Sequence, residues 1–166
     1  MKILRFFTMF LIGFALENGH AQVSTNWGKP LYGVQLSISL SNSVMTTGAT
    51  NVLRCWINNA STNKIDIFRD AVSFSPATSF LITNDSGKSF ELIPAITYSS
   101  ISAIHIKPGE VYEWSALAVV GKEVSPGDYE LKGVQWMYIP LNETNNPGGD
   151  LISNALKVRV RRPYWF

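Results

Sequence analysis

Side chains able to do chemistry are few in this chain, and their spacing limits what it can be. Two His and one Cys occur in 166 residues, too few for a zinc site built from Cys and His or for an intramolecular disulfide. Beyond the first 21 residues, a Ser–His–acid hydrolase would have to use His105. That residue lies between Ile104 and Ile106, where strand alternation places it on the face opposite the two Ile and makes it a surface side chain. No Gly-x-Ser-x-Gly elbow occurs. Paired carboxylates can do acid–base work without His, and the close pairs are Glu110 with Glu113 and Asp128 with Glu130. Glu110 ends a turn, however, and Glu130 alternates with Tyr129 and Leu131 as a solvated strand residue does. Asp66 and Asp70 are too sparse for a calcium loop. Asn145-Asn146-Pro147-Gly148-Gly149-Asp150 offers oxygens to Ca²⁺ but reads as a plain loop, and no Gly-rich phosphate loop opens a helix pattern. The expectation is a protein without catalytic residues, cofactor-binding residues or metal ligands.

The densest recognition chemistry is at the carboxyl end. Arg159, Arg161 and Arg162 precede Pro163-Tyr164-Trp165-Phe166. Three cations and three rings offer cation–π and stacking contacts. Arg159, Arg161, Arg162, Tyr164, Trp165 and Phe166 are therefore the expected partner-binding residues. The competing reading folds the rings back over the domain, with Pro163 ending the strand.

The elements that must position these groups are strands. Val34, Leu36, Ile38 and Leu40 alternate with Gln35, Ser37 and Ser39, one dry face and one wet. Leu53, Cys55 and Ile57 repeat the pattern, and Ile65 with Ile67 marks a third strand. Residues 78–93 read as a hairpin around Asn84-Asp85-Ser86-Gly87. Ile104 and Ile106 lead into the turn Lys107-Pro108-Gly109-Glu110, after which 111–120 and 129–139 are long strands separated by Ser125-Pro126-Gly127-Asp128. Leu156, Val158 and Val160 alternate with Lys157, Arg159 and Arg161 in the last strand, and Asn142–Asp150 is the longest polar loop. No window beyond residue 22 carries a helical stripe. Short strands at such spacing predict an all-β, antiparallel immunoglobulin-like sandwich.

Composition agrees. The chain is 46% hydrophobic and 16% charged with a net charge of +2, which disfavours disorder and gives no nucleic-acid signal. Residues 1–21 read as a secretory signal peptide: Lys2 and Arg5 supply positive charge, Ile3 to Leu16 is a mostly apolar run with Arg5 near its start, and Gly19-His20-Ala21 supplies small residues before a cut at Gln22. The run is shorter than the ~20 residues of a membrane span, and no later stretch is long and apolar enough to form one. Residues 22–166 then form one exported domain in which Cys55, in step with Leu53 and Ile57, is expected to be buried and inert. Asn59-Ala60-Ser61, Asn84-Asp85-Ser86 and Asn142-Glu143-Thr144 fit the glycosylation triplet.

Tyr129, just after Pro126-Gly127 and opening a late strand, fits a tyrosine corner, in which the hydroxyl bonds back to loop backbone. Trp56, with Trp114 or Trp136, is expected to supply the large ring of the core.

Three stretches together resemble the bacterial BsuPI proteinase-inhibitor family and, more broadly, immunoglobulin-like sandwiches. They are Leu53 to Asn59, the hairpin Phe80-Leu81-Ile82-Thr83-Asn84-Asp85-Ser86-Gly87-Lys88, and Pro108-Gly109-Glu110 leading to Pro126-Gly127-Asp128-Tyr129-Glu130-Leu131. They span residues 53–131. The resemblance implies a sandwich and an inhibitory activity and assigns no inhibitory residue. The expected function is a non-enzymatic, exported binding or accessory module for a protein or surface glycan. The alternative is an inhibitor of an extracellular or periplasmic protease.

Overall fold

The computed structural model describes residues 26–70, 78–94, 101–140 and 147–163. Their regular structure is entirely β. The first strands are β1 (Val34–Leu40), β2 (Val44–Thr46), β3 (Thr50–Asn59) and β4 (Ile65–Asp70). A hairpin of β5 (Ser79–Asn84) and β6 (Ser89–Glu91) follows, then β7 (Ile93–Pro94) and β8 (Ile101–Ile106). The last four are β9 (Val111–Val119), β10 (Gly127–Tyr138), β11 (Gly148–Ile152) and β12 (Leu156–Arg161).

Two sheets result. The smaller runs β1-β3-β9-β7, and the larger runs β2-β12-β10-β4-β8, with β11 and the β5–β6 hairpin also joined to β10. Every pairing is antiparallel except β12 with β2. Period-two patterning aims one face of each sheet at the other. Leu36 and Ile38 in β1, directly opposite Ile57 and Cys55 in β3, bury completely or nearly so against Ile67, Leu131 and Met137 of the larger sheet's core face. Full burial of such a side chain stabilises by roughly 1.5–3 kcal/mol. The Cys55 thiol is enclosed here, and burial pushes its pKa far up, which leaves it unreactive.

The turns follow their residues. Gly87 adopts φ +81° and closes the Asn84 hairpin, where the Lys88 amide donates to Asn84 Oδ1 at 2.9 Å. Pro108-Gly109 makes a turn with φ +77° at Gly109 and carries the chain from β8 in the larger sheet to β9 in the smaller. The tyrosine corner is present: the Tyr129 hydroxyl donates to the Ser125 carbonyl at 2.8 Å.

One expectation requires correction. Gly148–Asp150, read as part of a polar loop, belongs to β11 and pairs with Tyr138, Met137 and Trp136 of β10. The two Gly carry no side chain to reveal a pattern, and the ladder uses backbone groups alone. β2 and β7 are too short to show alternation in the sequence. Of the two alternatives for the later core ring, Trp114 is the buried one. The inward series on β10 is Tyr129, Leu131, Gly133, Gln135 and Met137, so Trp136 falls on the outer face. Trp114 fills the core role, with Tyr112 beside it at a ring separation of 5.9 Å. Asn59 of the first glycosylation triplet is buried, and its amide bonds the carbonyls of Asn63 and Ile106. The predicted signal peptide and the Asn142 triplet lie outside the described residues.

Candidate functional site

The outer face of the larger sheet is organised by one strand. Along β10 the outward residues are Asp128, Glu130, Lys132, Val134, Trp136 and Tyr138. The first half is charged and the second half apolar and aromatic, so two different surfaces share one face.

The charged half holds the sequence-predicted cations. Asp128 stands opposite Arg159 on β12, and Glu130 opposite Lys157. The Arg159 guanidinium donates to both Asp128 oxygens, from Nε at 2.6 Å and from Nη2 at 3.0 Å. This fork holds the Asp128 carboxyl below its ordinary pKa and the Arg159 guanidinium above its own. Glu130 pairs with Lys132 at 2.5 Å. A groove of about 580 Å³ runs past Ser43, Asp85, Asp128, Lys157, Arg159 and Arg161. Three cations there meet the carboxylates of Asp85, Asp128 and Glu130, so the groove is electrically balanced. Arg161 and Arg162 are exposed at the end of β12. The structure brings Arg159 and Arg161 together on one strand but engages Arg159 within the molecule. Tyr164, Trp165 and Phe166 lie outside the described residues.

The aromatic half gathers residues from strands far apart in sequence. Register sets Tyr138 of β10 beside Asp66 of β4, and Asp66 beside His105 of β8. On the other side, Gly148 and Asp150 of β11 lie opposite Tyr138 and Trp136. Two transverse rows therefore cross four strands. Three rings cluster in them, Phe68 to Trp136 at 5.3 Å, Phe68 to Tyr138 at 5.8 Å and Trp136 to Tyr138 at 5.8 Å. Their planes lie within 16–37° of parallel. Trp136 remains 44% exposed, a large value for an indole inside such a cluster. Gly148 makes room for it, since a Cβ there would stand 3.1 Å from Trp136 Cζ2 and 2.7 Å from the Met137 carbonyl oxygen.

Beside the rings, Asp66 gathers polar partners. Its side chain is only 5% exposed, and a carboxylate so buried needs partners. His105 Nδ1 lies 2.6 Å from Asp66 Oδ1, Lys64 Nζ stands 3.7 Å away, and Tyr138 is the register neighbour on β10. Hydrogen bonding to the neighbouring Asp66 carboxylate, then burial and the negative charge, raise the Tyr138 phenol above its ordinary pKa. With Nδ1 turned to Asp66, Nε2 is the other hydrogen-bonding atom of an imidazole that is 59% exposed. The expected surface placement of His105 is correct, but its carboxylate partner comes from another strand, 39 residues away in sequence. The signal that could have found it was the shared outward parity of Asp66, Phe68, Trp136 and Tyr138.

The proposed acid–base pairs have separate structural roles. Glu110 Oε2 accepts the Lys107 amide at 2.9 Å within the turn, and Glu113 is exposed on the outer face of the smaller sheet. Among the described residues, no group of three or more His, Cys, Asp and Glu is arranged to hold a metal ion. No helix among them is long and apolar enough to cross a membrane.

No protein-family model matches the chain. No curated protein matches it either. Solved structures resemble it in fold at low identity. A structural-genomics target, SoR45, is 11% identical with a TM-score of 0.48, over 80% of this chain and 90% of that one. Native E. coli alpha-2-macroglobulin is 14% identical with a TM-score of 0.47, over 78% of this chain and 7% of that one. The C-terminal domain of wzt is 14% identical with a TM-score of 0.44, over 84% of this chain and 80% of that one. At this distance the likenesses concern the arrangement of strands and carry no argument about activity.

Proposed function

We propose that this chain is an exported, non-enzymatic binding module, and that it recognises a protein or surface glycan through the outer face of β11–β10–β4–β8. The observation that carries the reading is Trp136. An indole left largely exposed among two further rings, on a rigid sheet and flanked by hydrogen-bonding side chains, has the composition of a recognition hot spot. Exposed rings of this kind cost solubility unless a partner covers them. The four carboxylates that could have done acid–base work support the non-enzymatic side, because Asp128, Glu130 and Glu110 each hold a bond within the fold and Glu113 lies on the other sheet. Export rests on the sequence of residues 1–21.

The test immobilises the purified chain and its Trp136→Ala variant and passes over each a fraction of extracellular material from the native source. Matching circular dichroism and melting temperature establish that the variant is folded. The reading expects protein or carbohydrate retained by the wild type and at least tenfold less by the variant. Equal retention by both, or none by either, overturns it.

A further inference from the structure

We infer that the Trp136 face is a saccharide site, taking an uncharged hexopyranose of a surface polysaccharide against its three rings. This rests on the binding-module reading above and names its ligand.

The first argument is size. The two rows cross β11, β10, β4 and β8, three interstrand steps of about 4.8 Å, and stand two residues apart, about 7 Å. That footprint suits one or two sugar rings. A standard protein interface takes about 800 Å² from each partner, whereas here Asp128, Glu130 and Lys132 bound the apolar stretch of β10 on one side.

The second is the mixture of groups. A pyranose has faces of C–H bonds and a rim of hydroxyls, so it needs rings for the one and hydrogen-bonding groups around them for the other. Phe68, Trp136 and Tyr138 supply the rings. Asp150, opposite Trp136 on β11, supplies an exposed acceptor on one side. His105 supplies the other side, held in orientation by its 2.6 Å bond to Asp66. Asp66 is thus a positioning residue. Buried among His105, Tyr138 and Lys64, it sets the imidazole before any ligand arrives, which lowers the entropic cost of binding.

The third is charge. Among the described residues of the patch, Lys64 is balanced by Asp66, and Asp150 adds a negative charge. This disfavours phosphates, nucleic acids and acidic sugars, which require an excess of cations.

The test is affinity electrophoresis of the full chain through gels containing a neutral β-glucan, an α-mannan or a galactan, with titration of matching oligosaccharides followed by tryptophan emission. Trp56 and Trp114 are buried and Trp27 is half-buried, so Trp136 is the most exposed indole among the described residues and its emission is expected to shift to the blue on binding, a shift absent in Trp136→Ala. The inference expects retardation by at least one polysaccharide. Affinity is expected to fall at least tenfold in Trp136→Ala and several-fold in Asp150→Asn, with melting temperatures near wild type. Retardation unchanged by Trp136→Ala overturns it. So does failure of all three polysaccharides together with Trp136-dependent retention of an exterior protein, an outcome that leaves the binding-module reading intact. Absence of any Trp136-dependent ligand overturns both.

Discussion

Asn154 acts as a one-residue strand against Ile38. The Ile38 amide donates to Asn154 Oδ1 at 2.8 Å, and Asn154 Nδ2 donates back to the Ile38 carbonyl at 3.2 Å. Both backbone groups belong to β1, the edge of the smaller sheet, and Asn154 follows β11 of the larger. A β-bulge makes this possible. Gly133 meets Ser153 through the bond from the Ser153 amide to the Gly133 carbonyl at 2.9 Å, and Leu131 pairs with Leu156. Asn154 and Ala155 therefore both face the single residue Lys132. The extra residue bends the strand and frees Asn154 to turn across the interface. The same step separates β11 from β12 and hence the aromatic half of the outer face from the charged half.

Asn154→Ala leaves the amide and carbonyl of Ile38 unpaired at a buried position. The expected cost is about 2–3 kcal/mol, from the penalty for orphaned backbone groups. Chemical denaturation measures it, and hydrogen exchange localises it, with the Ile38 amide losing protection more than the amides of β4 or β8. A variant of wild-type stability would show that the two sheets do not depend on this clasp.

Tyr129→Phe removes the bond to the Ser125 carbonyl and keeps the ring against Phe90 at 6.4 Å. Loss of one part-buried hydrogen bond with packing retained is expected to cost about 1 kcal/mol. The outer-face rings are remote from the corner in the register, so ligand affinity is expected to stay at the wild-type value. A drop in affinity larger than the drop in stability would mean that the corner and the ring face are coupled.

The legibility of this molecule follows from which forces are local. Alternation at Val34, Leu36 and Ile38 states which side of β1 is buried, and the Pro-Gly pairs state where the chain turns, because both depend on neighbouring residues. The tyrosine corner was readable for the same reason, since its bond spans four residues. The aromatic cluster was not. Phe68 and Trp136 are brought together by the register of β4 with β10, and His105 meets Asp66 through the register of β8 with β4. Register depends on long-range pairing, and a shift of one residue would turn every one of these side chains to the other face. The carboxyl-terminal cations were prominent because they are adjacent in sequence. In space, Arg159 is answered by Asp128 from 31 residues away.

The Asp128–Arg159 fork gives a prediction in acid. Its hydrogen bond, and to a lesser degree the Arg159 charge, lowers the Asp128 pKa in the folded state. The contribution is therefore fully present above the unfolded aspartate value, about 3.9, and is lost as pH falls through the lower folded value. Carbon-detected titration is expected to find Asp128 below the ordinary aspartate range. Arg159→Gln is expected to return it towards that range, as is high salt in part, because the pair is open to solvent. An Asp128 carboxyl indifferent to Arg159→Gln would contradict the fork.

The Asp66–Tyr138 pair gives a prediction in base, and it probes the proposed site directly. The folded phenol has a raised pKa, chiefly because its hydroxyl bonds the Asp66 carboxylate and then because of burial and the negative charge. The protonated phenol is the bound form, so the contribution is complete below the unfolded tyrosine value, about 10, and is lost as pH rises through the folded value. Asp66→Asn removes the charge and keeps the shape. Ring-carbon titration of Tyr138 is expected to move back towards the ordinary tyrosine value in that variant. The stability gap between wild type and variant is expected to narrow above pH ~10. Saccharide affinity is expected to fall with the loss of His105 orientation while Trp136 keeps its exposure. If the Tyr138 titration is the same in both proteins, Asp66 does not hold the phenol, and the preorganised edge beside the rings is lost with it.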